Sequence, residues 1–219
     1  MLGQWEQIKQ GLRNTKGIKL DGIGVDTWGV DFGLLDSRGD LLGLPVMYRD
    51  SRTDGMIEAA FEIVPRDQLF RATGIQFMFF NTLFQLLSMV KSKSPQLAAA
   101  DKLLFMPDLF NYLLTGVAKA EFSIASTSQM LDPNTGKWAS DVLTKLGIPT
   151  KILPEIVPSG TRLGPVLADV AKECDVEPAP VIAVGGHDTA SAVVAVPASA
   201  GQSWCCLLYT SDAADEGLG

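Results

Sequence analysis

Residues 181–193 read VIAVGGHDTASAV, and this stretch decides the fold of the chain. An apolar run ends in two glycines, a His-Asp pair follows, and small residues come next, so the pattern predicts a strand, a tight turn and a helix. The turn carries His187, the only histidine in the sequence, and Asp188. Asp188 has two interpretations here: a carboxylate that caps the helix, or a catalytic carboxylate on a glycine turn above a buried strand.

The composition bounds the class of protein. The 219 residues suit one large domain or one and a half, and an apolar content of 47% is enough to bury a sizeable core. A net charge of −7 without a run of Lys or Arg argues against nucleic acid or a membrane surface as a partner. Neither a signal peptide nor a transmembrane segment is apparent, and the three cysteines lack metal-site or disulfide spacing. We therefore expect a cytoplasmic protein.

Strand patterns cluster at both ends of the chain, and helical patterns fill the middle. Residues 22–26 and 30–36 predict a β-hairpin, residues 44–48 a third strand, and residues 180–184 a buried strand. We therefore expect one α/β domain whose sheet is built by the two ends, with a helical insert between them. The expected helices cover residues 5–12, 52–64, 66–72, 82–90, 107–115, 138–146 and 165–174.

A second candidate motif is the expected hairpin, where residues 24–33 read GVDTWGVDFG. Asp26 and Asp31 lie on either side of a Trp-Gly turn. Gly29 has no Cβ, so another group can approach its backbone closely. Trp28 offers a flat apolar face that suits the C–H face of a sugar. The alternative is a tight hairpin with two turn-stabilising carboxylates.

Two further features favour polar chemistry. Residues 48–53 read YRDSRT, either a polar cluster through which Arg49 and Asp50 reach a ligand or a solvated salt-bridge network.

A helix N-terminus stabilises a nearby anion by roughly 0.3–1 kcal/mol, which favours an ionised Asp188. An ionised carboxylate can accept the proton of an attacking hydroxyl, as a catalytic Asp does in phosphoryl transfer. His187 could hydrogen-bond a substrate hydroxyl, or it could be a packed histidine bonded to backbone.

Taken together, these strings resemble the FGGY family of carbohydrate kinases. The strings occur in the family's order: DTWGVDF at 26–32, YRDSRT at 48–53, GIQF at 74–77 followed by NTL at 81–83, MPD at 106–108, LTG at 114–116 and HDTASAV at 187–193. The second and the last of them resemble the branch that phosphorylates L-rhamnulose. The resemblance implies an actin-like, ribonuclease-H-like α/β fold of two domains with ATP between them. It implies transfer of the γ-phosphoryl group of ATP to the 1-hydroxyl of the sugar, with Mg²⁺.

The resemblance also implies roles for single residues. Asp188 matches the catalytic base of the family. Gly29, His187 and Thr189 match residues that hold the sugar. Trp28, Arg49 and Asp50 are expected to support the site from slightly further away.

Two departures from the family pattern set the expected domain limits. The family's leading phosphate-binding turn and its later Ser-Gly-Thr-Trp-Ser turn are not found in this sequence. We expect residues 1–197 to be the sugar-binding domain without its first strands, 198–207 the start of the ATP-binding domain, and 208–219 a tail foreign to the family. The expected fold is thus incomplete at both ends, without ATP-binding turns, and inactive by itself.

Three other functions stay open from the sequence. The chain could come from a family member that acts on xylulose, ribulose, fuculose or glycerol. It could be a non-catalytic sugar-binding module. It could also be a structural or regulatory actin-like protein. The oligomeric state does not follow from the sequence.

Overall fold

A computed structural model describes residues 2–197 together with Ser199 and Gly201. The rest of the expected ATP-binding segment 198–207, and the whole expected tail 208–219, lie outside the described residues. The helices are α1 (Leu2–Arg13), α2 (Met56–Phe61), α3 (Arg66–Thr73), α4 (Thr82–Lys91), α5 (Pro95–Ala99), α6 (Met106–Thr115), α7 (Phe122–Ser126), α8 (Ser140–Lys145), α9 (Ala168–Cys174) and α10 (Asp188–Val194). The strands are β1 (Ile23–Gly24), β2 (Phe32–Leu35), β3 (Lys102–Phe105), β4 (Ala120–Glu121), β5 (Leu131–Asp132), β6 (Lys137–Trp138), β7 (Ile156–Val157), β8 (Thr161–Pro165) and β9 (Pro180–Ala183).

The chain builds a three-stranded sheet of order β1-β9-β8, in which the sequence predicts β1 and β9 but not β8. β1 runs parallel to the central strand β9, with Ile23 opposite Val181. β8 pairs with the other edge of β9 in antiparallel orientation. The apolar run that opens the deciding stretch is therefore the centre of the sheet, and Val181 is fully buried.

The predicted hairpin between 22–26 and 30–36 is wrong. β2 pairs in antiparallel orientation with β3, and Phe32 lies opposite Phe105. Every residue of β2 is buried, so the strand needs an apolar partner inside the core, and β3 is such a strand. The edge of β1 is meanwhile taken by β9.

The predicted third strand at 44–48 is also wrong. The chain turns at 36–40, and the residues after the turn bond back to β2, where the amide of Leu42 donates to the carbonyl of Leu34 at 2.8 Å. Pro45 follows three residues later and has no N–H for a ladder. The segment therefore runs on as a loop.

Most of the predicted helices are present, and glycines end them as expected. Gly74 and Gly116 close α3 and α6 in the left-handed conformation with φ of 69° and 74°. Asn81 stands at the N-cap of α4, but its side chain bonds Gln76 and Gln129 instead of the helix.

The remaining predictions need correction in their bounds. The segment 52–64 begins as a 3₁₀ turn, Ser51–Thr53, and becomes α-helical only after Gly55. The segment 138–146 starts as strand β6, so its helix begins at Ser140. The connection 153–165 contains β7 and β8, which the sequence patterns missed.

The apolar core of the described residues divides into two larger clusters and a small cluster of Leu35, Leu104 and Leu109. The largest cluster surrounds α4 and β3 and includes Phe84 and Phe105. The second lies under the sheet, where Leu12 of α1 meets Val181 and residues of α9. Within the described residues, no helix is long and apolar enough to cross a membrane.

Candidate active site

The two glycine-containing strings lie side by side at the carboxyl ends of β1 and β9. The amide of Thr27 donates to the carbonyl of Gly186 at 3.0 Å, and the amide of Asp188 donates to the carbonyl of Thr27 at 2.9 Å. Ligands of open α/β sheets bind outside this carboxyl edge. The parallel pairing thus brings together two strings that are about 160 positions apart in sequence, a separation typical of crossover connections.

Asp188 is the first residue of α10, and the N-cap position belongs to His187. The Asp188 side chain is exposed, and its Oδ1 accepts from the backbone amide of Thr189 at 2.6 Å and from the Thr189 hydroxyl at 3.3 Å. No hydrogen bond to Oδ2 is found within residues 2–197. An N-cap carboxylate would bond an amide two or three residues ahead, so Asp188 does not cap the helix in that way.

His187 is half-buried beside this carboxylate, with Nε2 3.3 Å from Asp188 Oδ1. Burial lowers the pKa of His187, and the negative charges of Asp188 and Glu121 oppose that shift only in part. The imidazole is therefore neutral at neutral pH and can both donate and accept a hydrogen bond.

The buried side chain of Glu121 holds the turn in place. The sequence patterns did not predict this role. The Glu121 side chain is 1% exposed and accepts from the backbone amide of Gly186 at 3.0 Å. It also accepts from the amide and the hydroxyl of Ser123, at 2.9 and 2.6 Å, from the amide of Ile124 at 3.1 Å, and from the hydroxyl of Ser159. An acidic residue two positions before a Ser at a helix start is a capping signal, but no local pattern links it to residue 186.

A side chain at Gly186 would have little room in this arrangement. A Cβ on this residue would lie 3.1 Å from a side-chain carbon of Pro107 and 3.3 Å from Glu121 Oε2. Pro107 belongs to the MPD string, so that string packs directly against the turn. Asp108 follows it and accepts from the Glu121 amide at 3.1 Å. Burial, together with the charge of Glu121, raises the pKa of Asp108 well above its usual range.

A cleft of about 500 Å³ is lined by residues of the DTWGVDF string, which pairs with the turn through Thr27. The indole Nε1 of Trp28 donates to Asp31 Oδ2 at 2.8 Å, and both residues line the cleft. An aromatic face beside a few polar groups is the usual composition of a small-molecule site. The other lining residues are Gln4, Leu44, Pro45, Met47, Tyr48 and Met106.

The structure places the remaining predicted residues as follows. A Cβ on Gly29 would lie 3.2 Å from Thr127 Oγ1, so the Thr127 side chain takes the space that the glycine leaves open. Arg49 is exposed and lies over the ring of Tyr48, 5.5 Å from its centroid. Asp50 caps the 3₁₀ turn by accepting from the amide of Arg52 at 2.9 Å. Of this string, Tyr48 reaches the cleft.

Comparisons with known proteins show the family of the chain. The sequence profile of the FGGY family of carbohydrate kinases, N-terminal domain, matches residues 5–195. The chain belongs to this family. Family members are phosphotransferases that act on sugars, and the match covers both strings at the carboxyl edge.

Curated relatives carry a more specific name. A rhamnulokinase from Bacteroides thetaiotaomicron is 44% identical over 183 residues, which are 84% of this chain and 38% of the relative. A rhamnulokinase from Yersinia pestis (strain Pestoides F) is 42% identical over 194 residues, 88% of this chain and 39% of the relative. The chain thus spans about two fifths of the length of the curated relatives that it matches.

Solved structures confirm the fold. A xylulose kinase from Rhodospirillum rubrum matches with a TM-score of 0.79 at 22% identity, over 87% of this chain and 41% of the other. A gluconate kinase from Lactobacillus acidophilus matches with a TM-score of 0.75 at 19% identity, over 83% and 38%. The expected actin-like, ribonuclease-H-like α/β fold is therefore confirmed for the part of the fold that this chain covers.

Proposed function

We propose that the protein transfers the γ-phosphoryl group of ATP to the 1-hydroxyl of L-rhamnulose. The observation that carries this proposal is the 42–44% identity to proteins named rhamnulokinase, over 84–88% of this chain. Residues 1–197 form the sugar-binding domain in this proposal. The geometry adds an exposed carboxylate, Asp188, held at the carboxyl edge of a parallel strand pair.

Asp188 accepts the proton of the sugar hydroxyl. Its Oδ1 is fixed by the amide and hydroxyl of Thr189, and Oδ2 has no partner within residues 2–197, so that oxygen is free to face the substrate. The hydroxyl oxygen then attacks the γ-phosphorus, and ADP leaves with the bridging oxygen. General-base help of this kind contributes on the order of 10²–10⁴-fold.

His187, Thr189 and Gly29 hold the sugar in this mechanism. A neutral His187 offers one donor and one acceptor to sugar hydroxyls without adding a charge that would compete for the proton. The aromatic wall of the cleft, with Trp28 and Tyr48, covers the C–H face of the ring.

Mg²⁺ is proposed as a companion of ATP. Within the described residues, no group of three or more His, Cys, Asp or Glu side chains is arranged to hold a metal ion. Mg²⁺ in phosphotransferases is commonly held by substrate phosphates and only one or two carboxylates. No step above uses the ion, and the chemistry that it supplies when bound is neutralisation of phosphate charge.

The test is a coupled ADP-release assay on the complete gene product with L-rhamnulose, L-fuculose, xylulose, ribulose and glycerol. We expect the highest kcat/KM for L-rhamnulose. A higher kcat/KM for another sugar would show that this other sugar is the substrate, while the proposed phosphoryl transfer would stand. Sugar binding by calorimetry without any ADP release would instead support a non-catalytic sugar-binding module.

A further inference from the structure

The segment that leads into Asp31 has an unusual backbone. Val30 has φ of 67°, a left-handed value that a β-branched residue rarely adopts. The amide of Asp31 donates to the carbonyl of Gly29 at 2.9 Å, so residues 29–31 form a three-residue γ-turn. Strained backbone persists only where the surrounding structure holds it, and it is concentrated at functional sites.

Three side chains hold this turn in place. The carbonyl of Val30 accepts from the hydroxyl of Thr82 at 2.6 Å and from the amide nitrogen of Gln85 at 3.3 Å. The amide of Val30 donates to the hydroxyl of Thr127 at 3.3 Å. Thr82 and Gln85 lie on α4, and Thr127 is the C-cap of α7, so two separate helices fix the direction of Asp31.

The Asp31 carboxylate is buried and incompletely bonded. Its residue is 3% exposed and lines the cleft. Oδ2 accepts from the Trp28 indole, whereas Oδ1 has no hydrogen-bond partner within the described residues. Burial raises the pKa of Asp31, whereas the contacts with the side chains of Trp28 and Gln85, the charge of Arg52 and the backbone of Tyr48 oppose this shift. A buried carboxylate oxygen without a partner calls for one, because an unmade hydrogen bond is costly there.

We infer that Asp31 Oδ1 accepts a hydrogen bond from a hydroxyl group of the bound sugar, and that this contact selects among sugars. The inference deepens the proposed function and rests on it. The indole of Trp28 beside the carboxylate covers an apolar face of the same ring. A site built to bond a hydroxyl rejects an analogue that lacks it, because the buried partner is then left unpaired.

A purely structural role is the alternative, in which Asp31 only anchors the Trp28 indole. Asp31→Asn separates the two roles, because the amide keeps the size of the side chain and an oxygen for Trp28. The amide cannot offer a second carboxylate oxygen to the sugar. Asp101→Asn, an exposed carboxylate paired with Lys102 at the start of β3, is the matched control.

The experiment is calorimetric titration of the complete gene product and its two variants with L-rhamnulose and with analogues that each lack one hydroxyl. We expect Asp31→Asn to weaken L-rhamnulose binding at least about tenfold, the loss typical of a hydrogen bond to a charged group. The analogue that lacks the hydroxyl bonded to Asp31 should bind the wild type about as weakly as L-rhamnulose binds Asp31→Asn. The substitution should not weaken the binding of that analogue further. The affinity of Asp101→Asn for L-rhamnulose should stay at the wild-type value.

Several outcomes overturn the inference. Unchanged L-rhamnulose affinity in Asp31→Asn would remove the contact while leaving the proposed function standing. An equal loss for every analogue would remove its role in selection. No binding of any sugar by the wild type would overturn both proposals. A crystal structure with L-rhamnulose needs no variant: a sugar hydroxyl within hydrogen-bonding distance of Asp31 Oδ1 is expected, and an Oδ1 without one contradicts the inference.

Discussion

Asp31 and Asp188 are both carboxylates near a strand, but the fold gives them opposite surroundings. Asp31 is buried and bonded to an indole, whereas Asp188 is exposed and bonded to its neighbour in sequence. The position of Asp188 at a helix start was predictable, because glycines and small residues mark the turn. The burial of Asp31 was not, since its string was interpreted as a hairpin whose carboxylates stabilise a turn.

The catalytic assignment of Asp188 leads to a sharp prediction for Asp188→Asn. We expect kcat for sugar phosphorylation to fall on the order of 10²–10⁴-fold, because an amide cannot take the hydroxyl proton. Sugar affinity should change little, since the amide oxygen still accepts from Thr189. Steady-state kinetics and calorimetry on the complete gene product measure the two quantities. Asp67→Asn, an exposed carboxylate on α3, is the control, and a kcat equal to that of the control would refute the assignment.

Asp108 provides a pH-dependent prediction. Burial raises its folded-state pKa well above 3.8, so the folded state binds more protons than the unfolded state in the window between 3.8 and the folded value. Its contribution to stability is therefore present below about pH 3.8 and is lost as pH rises through that window. Asp108→Asn does not ionise and keeps an acceptor for the Glu121 amide. We expect the variant to gain stability relative to the wild type as pH rises.

Urea unfolding at pH 5 and pH 8 measures this effect. The difference in free energy of unfolding between Asp108→Asn and the wild type should favour the variant more at pH 8. An identical difference at the two pH values would show that the ionisation of Asp108 does not limit stability.

At the scale of elements, two of the strands that local patterns missed, β4 and β7, lie next to residues that support the turn. β4 and β7 have two residues each, too few for an alternation to register. Yet β4 ends in Glu121, and the loop after β7 supplies Ser159 to the same carboxylate. The apolar runs of α4 and β9 were predictable, because consecutive apolar residues indicate a buried element.

Glu121 joins α7 and the loop after β7 to the turn at Gly186, and Glu121→Gln tests that role. A glutamine replaces one acceptor oxygen by an N–H₂ donor, so at least one of the five donated hydrogen bonds is lost. We expect the free energy of unfolding to fall by about 1–3 kcal/mol, the usual result of leaving a buried donor unpaired. In NMR spectra of Glu121→Gln, the backbone amide resonances of Gly186 and His187 should shift from their wild-type positions.

Glu155→Gln is the matched control, because Glu155 is an exposed partner of Lys119. A drop in stability with unchanged resonances at the turn would make Glu121 a fold-stabilising residue without influence on the site. If the resonances of Gly186 and His187 also shift in Glu155→Gln, the cause would be the loss of a negative charge in general and not the loss of the Glu121 hydrogen bonds.

At the scale of the whole molecule, the sequence predicted that both ends of the chain contribute to the sheet, but it did not predict how the strands pair. β1 and β9 were expected and do lie in one sheet, whereas the third strand of that sheet, β8, was missed. The pairing of β2 with β3, nearly 70 residues apart in the chain, was not expected either. A strand that is buried on both faces looks the same in sequence whichever partner it takes, so local patterns favour the neighbour along the chain.

This organisation predicts unequal stability across the molecule. The sheet rests on the second apolar cluster and on a β1 of two residues, whereas α4 and β3 lie in the largest cluster. We expect native-state hydrogen exchange to show that the amides of β9 open at lower free energy than those of α4, because opening free energy follows local burial. L-rhamnulose should then slow exchange at the Asp188 amide, which bonds Thr27 across the two strings. Protection of β9 equal to that of α4 across denaturant concentrations would mean that both clusters unfold as one unit, and the site would then share the stability of the whole domain.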